Sequence, residues 1–468
     1  MYEWNNIRPL YFKAAILISI SVVLTACNGL KTEFDSQQEH KLKLPVILED
    51  TNSDPGVAEF SLEASEGRTE FAEGFPADTI GYNGSYLGPV LRFSSGEKVT
   101  IHVKNSLSFP TTVHWHGLVV EGEMDGGPHQ GIMPGESWSP DFTVDQPAAT
   151  LWYHPHLMGS SADQVYFGLA GLIYIDDEVS EGLNLPDNYG VNDIPLIVQD
   201  RNFRSDGYLD YRTSMMGVVP GDTILINGTL NPYLDVNRET VRFRILNASN
   251  SENFNFRFSD DRSFQQIASD GGFLEEPISR ESLILAPGER AEIIVDFTKS
   301  GRDTISLMNG NSPILDFNIS GKEMASAAIP DFLSDIAEIP EGDNPRVRVF
   351  ELQSMGVTGT INGKSFDMDR IDEDVPLKET EIWVIRNLGG MMQTSGHPFH
   401  VHGTQFQVIS RDGKDPPLEE RGWKDTVFVK TGEEVKIKVR FSKEGVFMYH
   451  CHILEHEDGG MMGQFRVQ

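Results

Sequence analysis

The chain repeats one sequence pattern three times, at intervals of roughly 140 residues. Each copy opens on an Asn-Gly turn, at Asn83, Asn227 and Asn362, and each then has an apolar strand that ends in Asn. A Gly-Glu turn, alternating strands and a closing apolar strand follow in every copy. Short alternating strands separated by turn residues are typical of an antiparallel β-sandwich. The repeat therefore predicts an all-β fold of three tandem β-sandwich domains.

The copies also set the predicted domain boundaries. At 468 residues the chain is long enough for two or three domains, and we assign sandwiches to residues 45–180, 181–320 and 346–468. Residues 321–345, which contain several Ala, Pro and acidic residues, are predicted to link the second sandwich to the third. The second copy closes on Met308-Asn309-Gly310 without a histidine. The middle sandwich is therefore expected to have no metal ligands and to act as a spacer.

The third copy closes on a cysteine between two histidines, His450-Cys451-His452. Successive side chains of a strand point to opposite faces, so Cys451 should face one side and both imidazoles the other. His456 and Met461 follow at equal spacing in a glycine-rich segment. A thiolate, imidazoles and a weak thioether are the ligands of a blue-copper electron-transfer site. The second histidine of such a site must come from elsewhere, and the backbone beside Cys451 would then join two metal groups.

Most of the other histidines also occur in His-x-His steps. Ten of the thirteen histidines lie in four clusters, a density typical of metal sites. Besides the Cys451 segment, the clusters are His114-Trp115-His116, His154-Pro155-His156 and His397-Pro398-Phe399-His400-Val401-His402. The first and third copies carry them at equivalent places, so we predict that eight histidines meet between the first and third sandwiches.

The ligand types indicate which metal these clusters bind. Eight imidazoles can hold three ions, and the remaining His397 would complete the site at Cys451. Zinc is the main alternative for histidine-rich sites, but the soft Cys and Met ligands favour copper. We therefore predict four copper ions per chain.

These clusters resemble those of multicopper oxidases over nearly the whole mature chain. The resemblance is strongest to the bacterial periplasmic copper-efflux and laccase-like branch, in the segments Trp152–His156, Gly403–Phe406 and Gly422–Thr426. It implies that the three sandwiches are cupredoxin domains. It also implies the type 1 ligands His397, Cys451, His456 and Met461, the type 2 ligands His114 and His400, and the type 3 ligands His116, His154, His156, His402, His450 and His452.

The resemblance further implies an enzyme, a copper-dependent oxidoreductase with dioxygen as acceptor. Such an enzyme couples one-electron oxidation of a donor to four-electron reduction of dioxygen to water, and four copper ions can store four electrons. Protons must arrive as well, so acids near the ions are needed. Asp125 and Glu457 match the proton donors of the family. The alternative for each of them is an exposed loop carboxylate.

The absence of a methionine-rich insert in the third sandwich indicates which electron donor is oxidised. Copper-efflux oxidases carry a methionine-rich insert and a labile copper site there, whereas the segment Met355–Asp369 contains only Met355 and Met368. Met355 and Met392 match two thioether positions of that site, and Gly390 replaces its acidic partner. We therefore expect a phenolic or aromatic donor, as for a laccase. Oxidation of Cu(I) in periplasmic copper tolerance is the alternative.

Two other classes of protein share parts of this pattern. Copper-free structural relatives, as among cell-division proteins, have lost the ligands, whereas every ligand type is present here. A two-domain copper nitrite reductase would lack the His-Cys-His step and the third domain. A net charge of −32 argues against a nucleic-acid-binding surface, which would be basic. The expected partners are dioxygen and a small reducing substrate or Cu(I), bound by a monomer.

The N-terminus resembles a bacterial lipoprotein signal. A short apolar run after basic residues ends in Leu-Thr-Ala-Cys, which makes Cys27 the lipidated first mature residue. Residues 1–27 are therefore predicted to be the signal peptide, and the polar residues 28–44 a flexible tether. Acyl chains would hold the protein at a membrane surface. Since Asn28 does not favour retention in the inner membrane, we expect an outer-membrane anchor facing the periplasm of a bacterial cell envelope.

Overall fold

The computed structural model describes residues 38–214, 217–323, 328–342, 344–390 and 396–468. The predicted signal peptide with Cys27 lies outside the described residues, as do most of the predicted tether and Met392. Within the described part of the chain, no helix is long and apolar enough to cross a bilayer.

The strands and helices fall into three groups along the chain. The first group is β1 (His40–Lys41), β2 (Val57–Ala72), β3 (Phe75–Tyr82), β4 (Leu91–Ser94), β5 (Lys98–Asn105), β6 (His114–His116), β7 (Ser137–Trp138), β8 (Asp141–Thr143), β9 (Ala149–His154), α1 (Ser161–Phe167), β10 (Gly171–Asp176) and α2 (Glu178–Gly182). The second is β11 (Asp193–Arg201), β12 (Thr213–Ser214), β13 (Gly217–Val218), β14 (Thr223–Ile226), β15 (Thr229–Leu230), β16 (Pro232–Arg238), β17 (Thr240–Asn247), β18 (Phe254–Phe258), β19 (Phe264–Ser269), β20 (Gly272–Arg280), β21 (Leu283–Leu285), β22 (Arg290–Asp296), β23 (Thr304–Asn309) and β24 (Ser312–Glu323). The third is β25 (Arg346–Met355), β26 (Thr358–Ile361), β27 (Glu373–Val375), β28 (Thr380–Gly390), β29 (His397–Val401), β30 (Gln407–Arg411), β31 (Thr426–Val429), β32 (Glu434–Arg440), β33 (Gly445–Cys451), α3 (Leu454–Asp458) and β34 (Met462–Val467).

Apart from β1, which joins a sheet of the second sandwich, the strands of each group build a sandwich of two sheets around its own apolar core. In the first sandwich the strand orders are β3-β2-β5-β7, with β8 also paired to β5, and β4-β10-β9-β6. In the second they are β1-β16-β24-β23-β18-β21 and β15-β14-β11-β17-β22-β19-β20. In the third they are β26-β25-β28-β32-β30 and β27-β34-β33-β29-β31. The predicted all-β fold of three tandem sandwiches is confirmed.

The alternation of apolar and polar residues explains how these strands form two-faced sheets. In β5, Val99, Ile101 and Val103 point into the core of the first sandwich and are fully buried. Burying each such side chain contributes about 1.5–3 kcal/mol. His102 lies between them on the outer face, where its ring nitrogens are 2.9 Å from Glu59 Oε1 and from Ser139 Oγ. A charged residue in place of Ile101 would break this strand.

The last residues of the predicted tether are part of the fold, which corrects the expectation of a flexible segment over residues 38–44. His40 and Lys41 form β1, which pairs in parallel with β16 of the second sandwich. Leu42 is buried in the core of that sandwich. The segment is ordered because its backbone adds a strand to a sheet edge and Leu42 supplies an apolar anchor.

The segment that joins the second sandwich to the third packs against both. The backbone N–H of Leu333 donates to the carbonyl of Glu275 in the second sandwich, at 2.8 Å. The backbone N–H of Ile339 donates to Gln407 Oε1 in the third, at 2.9 Å. Both the leucine and the isoleucine are buried.

Candidate metal centre

Two pairs of neighbouring strands place the histidines. In the first sandwich β6 lies antiparallel to β9, with His114 opposite His154. In the third, β29 lies antiparallel to β33, with His400 opposite His450. Directly opposite residues of paired strands have close Cβ atoms, so each His-x-His step meets a second one across the sheet. The alternate spacing of the histidines in the sequence therefore places their imidazoles close together.

The two sets meet between the first and third sandwiches, as the sequence predicts. His450 Nε2 lies 3.1 Å from His156 Nε2 and 3.1 Å from His402 Nε2. The rings of His114 and His402 stack with centroids 3.8 Å apart. We call this set the histidine cluster; its members, all 1% exposed or less, are His114, His116, His154, His156, His400, His402, His450 and His452.

Several ring nitrogens in the histidine cluster have no hydrogen-bond partner. His114 Nδ1 lies 2.9 Å from the carbonyl oxygen of Asp125, and His400 Nδ1 lies 2.8 Å from that of Asp425. Each Nδ1 therefore carries the hydrogen, which leaves the Nε2 lone pair of both rings unpartnered and buried. Because buried polar atoms are normally satisfied, these nitrogens fit the coordination of a metal ion.

The remaining cluster histidines also converge with nitrogens inward. The Nε2 atoms of His156, His402 and His450 form one group whose ligand atoms lie within 4.8 Å of one another. His116 turns the other way, with Nδ1 3.4 Å from His154 Nε2. Both ring nitrogens of His452 are unpartnered, and its ring centroid lies 5.0 Å from that of His116. All eight histidines therefore have a donor atom available for copper.

A second group of ligands surrounds the cysteine. Cys451 Sγ lies 3.4 Å from His397 Nδ1 and 3.6 Å from His456 Nδ1. The outer nitrogens of the two rings are held by protein groups, His397 Nε2 at 3.3 Å from Ser354 Oγ and His456 Nε2 at 3.2 Å from the carbonyl of Gly356. Both Nδ1 atoms therefore face the sulfur. We call His397, Cys451 and His456 the cysteine site.

Met461 completes the surroundings of the cysteine site. Its side chain is fully buried in the core cluster that contains Cys451. A Cβ on Gly359 would come 2.7 Å from Met461 Sδ, so the glycine leaves room for the thioether. The backbone N–H of Cys451 donates to the carbonyl of Met461 at 3.1 Å. Met461 as the axial ligand stays a prediction.

The side chains of the His-Cys-His step diverge as the strand period predicts. Cys451 faces the cysteine site, whereas His450 faces His156 and His402 in the histidine cluster. His452 lies with the same cluster, its ring centroid 5.5 Å from that of His450. One segment of β33 and its next residue therefore connects the two sites covalently.

Burial keeps the imidazoles ready to bind metal. It lowers the pKa of His397 and of His450 to about 3, and that of His456 to about 4. The rings are therefore neutral at pH 7 and offer a lone pair. Burial raises the pKa of the Cys451 thiol, so copper must displace its proton to gain the thiolate ligand.

Both predicted proton donors lie against the histidine cluster. Asp125 is 2% exposed, and its Oδ2 is 2.8 Å from His402 Nδ1. Glu457 is 1% exposed, with Oε1 3.4 Å from His156 Nδ1 and Oε2 3.3 Å from His450 Nδ1. The alternative of exposed loop carboxylates is wrong for both residues. Burial, reinforced by the charge of Asp458, raises the pKa of Glu457 well above its ordinary value.

Sequence reasoning missed a group of acids beside Glu457. Burial raises the pKa of Asp163 and of Glu455 to about 7, and that of Asp458 to about 6. Asp458 accepts the backbone N–H groups of Ser161 and Ala162 at the start of α1. The two helices α1 and α3 thus hold a group of interacting carboxyl groups, of which Glu457 contacts the histidine cluster.

Sequence reasoning also missed Asp425. Its Oδ1 lies 2.9 Å from His116 Nε2, and its carboxylate pairs with the Arg290 guanidinium. Although burial opposes ionisation, Arg290 keeps the pKa of Asp425 below its ordinary value. The available signal was the segment Gly422–Thr426, which carries the family resemblance and contains this aspartate.

Of the two methionines predicted for a labile copper site, the structure describes one. Met355, at the end of β25, is 67% exposed. It directly precedes Gly356, whose carbonyl accepts from His456. Met392 lies outside the described residues.

Known proteins are similar to this chain in sequence and in fold. Models of the multicopper oxidase family match residues 63–180, 200–319 and 340–468. The chain is 42% identical to a multicopper oxidase of Staphylococcus epidermidis over 92% of this chain and 93% of the relative. It is also 35% identical to the cell division protein FtsP of Yersinia pestis, over 93% and 94% of the two chains.

Solved structures agree with these matches. A laccase of Pediococcus acidilactici superposes with a TM-score of 0.89 at 39% identity, covering 92% of this chain and 94% of that chain. Family models cover most of the sequence, and the buried ligand groups have the composition that copper requires. The chain therefore belongs to the multicopper oxidase family, among its bacterial laccase-like members, and is a copper oxidoreductase.

Proposed function

We propose that this protein oxidises a phenolic or aromatic donor one electron at a time and uses the electrons to reduce dioxygen to water. The observation that carries the proposal is the divergence of Cys451 from His450 and His452 on one segment. A donor oxidised at the cysteine site and dioxygen reduced at the histidine cluster need a short connection between the two sites. The backbone of this segment supplies it.

The ligand set supports four copper ions. We assign the type 1 ion to the cysteine site with Met461. The type 2 ion is assigned to His114 and His400, whose Nε2 atoms are both unpartnered. The type 3 pair is assigned to the other six histidines, which are His116, His154, His156, His402, His450 and His452.

When bound, copper supplies one-electron storage and transfer. The protein supplies the ligand geometry and the protons. Glu457 holds a proton beside His156 and His450, because burial disfavours its carboxylate. Asp125 Oδ2 accepts from His402 Nδ1, and its Oδ1 is buried without a hydrogen-bond partner. Asp125 therefore contacts His402 and Glu457 contacts His156 and His450, and we assign proton delivery to the cluster to these two acids.

We propose that an organic donor is oxidised at the surface beside the cysteine site. The end of β25 and the turn after it contact the outer nitrogens of His397 and His456, through Ser354 Oγ and the carbonyl of Gly356. Within the described part of the third sandwich, Met355 and Met368 are the exposed methionines. A Cu(I) site needs several soft ligands, whereas an aromatic donor needs only contact with the edge of this turn. The exposed Met355 is the observation that keeps Cu(I) oxidation as a second candidate.

Oxygen uptake with dimethoxyphenol and with Cu(I) tests the choice of donor. We expect kcat/KM for the phenol to exceed that for Cu(I) by about tenfold or more, and Met355→Leu to change phenol oxidation by less than about twofold. Met133→Leu, which alters an exposed methionine of the first sandwich, is the matched control. A preference for Cu(I) that Met355→Leu reduces by about tenfold, with Met133→Leu unchanged, would establish the cuprous alternative instead.

We further propose that the protein acts as a lipid-anchored monomer at the bacterial cell envelope. The lipobox-like ending at Cys27 supports the anchor. Labelling with a palmitate analogue, compared between the full chain and Cys27→Ala, tests it. Labelling that persists in the variant would contradict the assignment.

A further inference from the structure

We propose that Arg290 of the middle sandwich is a positioning residue for the histidine cluster. It fixes the Asp425 carboxylate, which in turn fixes the His116 ring with Nδ1 toward the copper ions. The inference rests on the proposed copper cluster. It gives the middle sandwich a role beyond that of the spacer expected from its lack of ligands.

Every donor of the Arg290 guanidinium is used. Nη1 donates to Asp425 Oδ1 at 2.7 Å and Nη2 donates to Asp425 Oδ2 at 2.6 Å. The other three N–H groups donate to backbone carbonyls, of Thr150 at 3.1 Å, Gly288 at 3.0 Å and Asp270 at 2.8 Å. A guanidinium has five donors in a rigid plane, so five acceptors leave it one orientation.

These contacts join all three sandwiches at one buried point. Arg290 begins β22 of the second sandwich, Thr150 lies on β9 of the first, and Asp425 precedes β31 of the third. The Arg290 side chain and that of Asp425 are both fully buried. A Cβ on Gly117 would come 2.7 Å from Asp425 Oδ2 and 3.0 Å from Arg290 Nη2. The ion pair is therefore packed without free space on that side.

Asp425, held in this position, contacts two histidines of the cluster. Its Oδ1 lies 2.9 Å from His116 Nε2, and its backbone oxygen lies 2.8 Å from His400 Nδ1. The rings of His116 and His400 stack with centroids 3.7 Å apart. The hydrogen on His116 Nε2 faces the carboxylate, so Nδ1 is the atom that remains for metal. A carboxylate behind a ligating histidine sets its tautomer and orientation.

Arg290 also keeps the Asp425 carboxylate as a hydrogen-bond partner of the histidines and prevents it from binding the metal directly. The Asp425 carboxylate lies close enough to His116 and His400 to join them in holding a metal ion. Arg290 engages both of its oxygens, and Gln405 Nε2 donates to Oδ2 at 2.8 Å. Without the guanidinium, the carboxylate would lose its charge partner and could turn away from His116 or toward the ions as an extra ligand. Either change would alter the copper geometry at His116.

The test compares copper-loaded protein with Arg290→Met, which removes the charge, and Arg290→Lys, which keeps the charge without the planar fork. Arg348→Met is the matched control, because Arg348 is a buried arginine of the third sandwich that pairs with Glu381 and Glu373. Bound copper per chain, the blue absorption of the cysteine site and the electron paramagnetic resonance signal of the type 2 ion are measured for each.

We expect Arg290→Met to retain the blue absorption and its reduction by donor, while copper affinity of the histidine cluster falls about 10- to 100-fold, as for other residues behind metal ligands. The type 2 signal of Arg290→Met should change, and that of Arg290→Lys should change less. Arg348→Met should leave the copper affinity of the cluster and the type 2 signal unchanged. Full cluster copper with an unaltered type 2 signal in Arg290→Met would overturn the inference, as would loss of the blue absorption in parallel with the cluster.

The same variants and measurements also decide two further cases. If Arg290→Met does not fold, Arg290→Lys decides, since an unaltered type 2 signal in that variant would equally overturn the inference. If the unsubstituted protein lacks cluster copper, the proposed function fails. If it has cluster copper and both Arg290 variants match it, only the role of Arg290 fails.

Discussion

Replacing Cys451 with serine should abolish the blue absorption and lower donor oxidation by at least about 1,000-fold, the scale on which removing one member of a catalytic unit acts. A serine hydroxyl is a hard, neutral ligand that does not replace a thiolate for copper. The sulfur is also the atom that links the cysteine site to the segment bearing His450 and His452. Both electron entry and its onward path are therefore lost together.

The rest of the molecule should remain intact in Cys451→Ser. The histidine cluster is held by carbonyls and carboxylates that do not contact the sulfur, so we expect its copper to be retained. Copper analysis and visible spectroscopy measure this, with Met461→Leu as the control that keeps the thiolate and should remain blue. Turnover of donor with dioxygen by the serine variant at more than a tenth of the original rate would refute the assignment of the cysteine site.

Replacing Glu457 with glutamine should slow reoxidation by dioxygen about 100- to 1,000-fold, as expected for loss of a general acid. The amide has nearly the same shape but cannot donate a proton in the way that the carboxylic acid does. Burial raises the pKa of Glu457 well above its ordinary value, which favours the protonated side chain. Reduction of the blue copper by donor does not involve this proton and should keep its rate.

Stopped-flow spectroscopy separates the two half-reactions in Glu457→Gln. Glu455→Gln is the matched control, because Glu455 is an adjacent buried acid that bonds Asn250 and Tyr211 and no cluster histidine. The control should reoxidise at close to the original rate. Reoxidation of Glu457→Gln within about threefold of the original rate, or an equal loss in the Glu455 variant, would remove Glu457 from the proton path.

The sequence predicted the parts of this molecule that depend on local period. The three copies predicted three sandwiches, and the His-x-His steps predicted imidazoles grouped on β6 and at the ends of β9 and β29, because alternate residues of a strand share a face. The division of Cys451 from His450 follows from the same period. The resemblance to multicopper oxidases then identified the acids Asp125 and Glu457, which both lie at the histidine cluster.

Some contacts between distant segments could not be predicted in this way. Arg290 and Asp425 are far apart in the chain, and no local spacing indicates that they pair. The strand β1 forms only because β16 offers an edge, so its residues seemed no different from a polar tether. His116 Nε2 faces Asp425 and Thr426 of the third sandwich, which are partners outside its own segment. Tertiary packing therefore supplied what the local sequence did not specify.

Anaerobic reduction of the copper-loaded protein with counted electrons tests the central claim most directly, since the claim is that β33 joins a one-copper cysteine site to a three-copper histidine cluster. The account predicts that each chain takes up four electrons and that the blue absorption accounts for one of them. Uptake of a single electron per chain, or electrons that bleach the blue absorption and never reach the cluster, would contradict it.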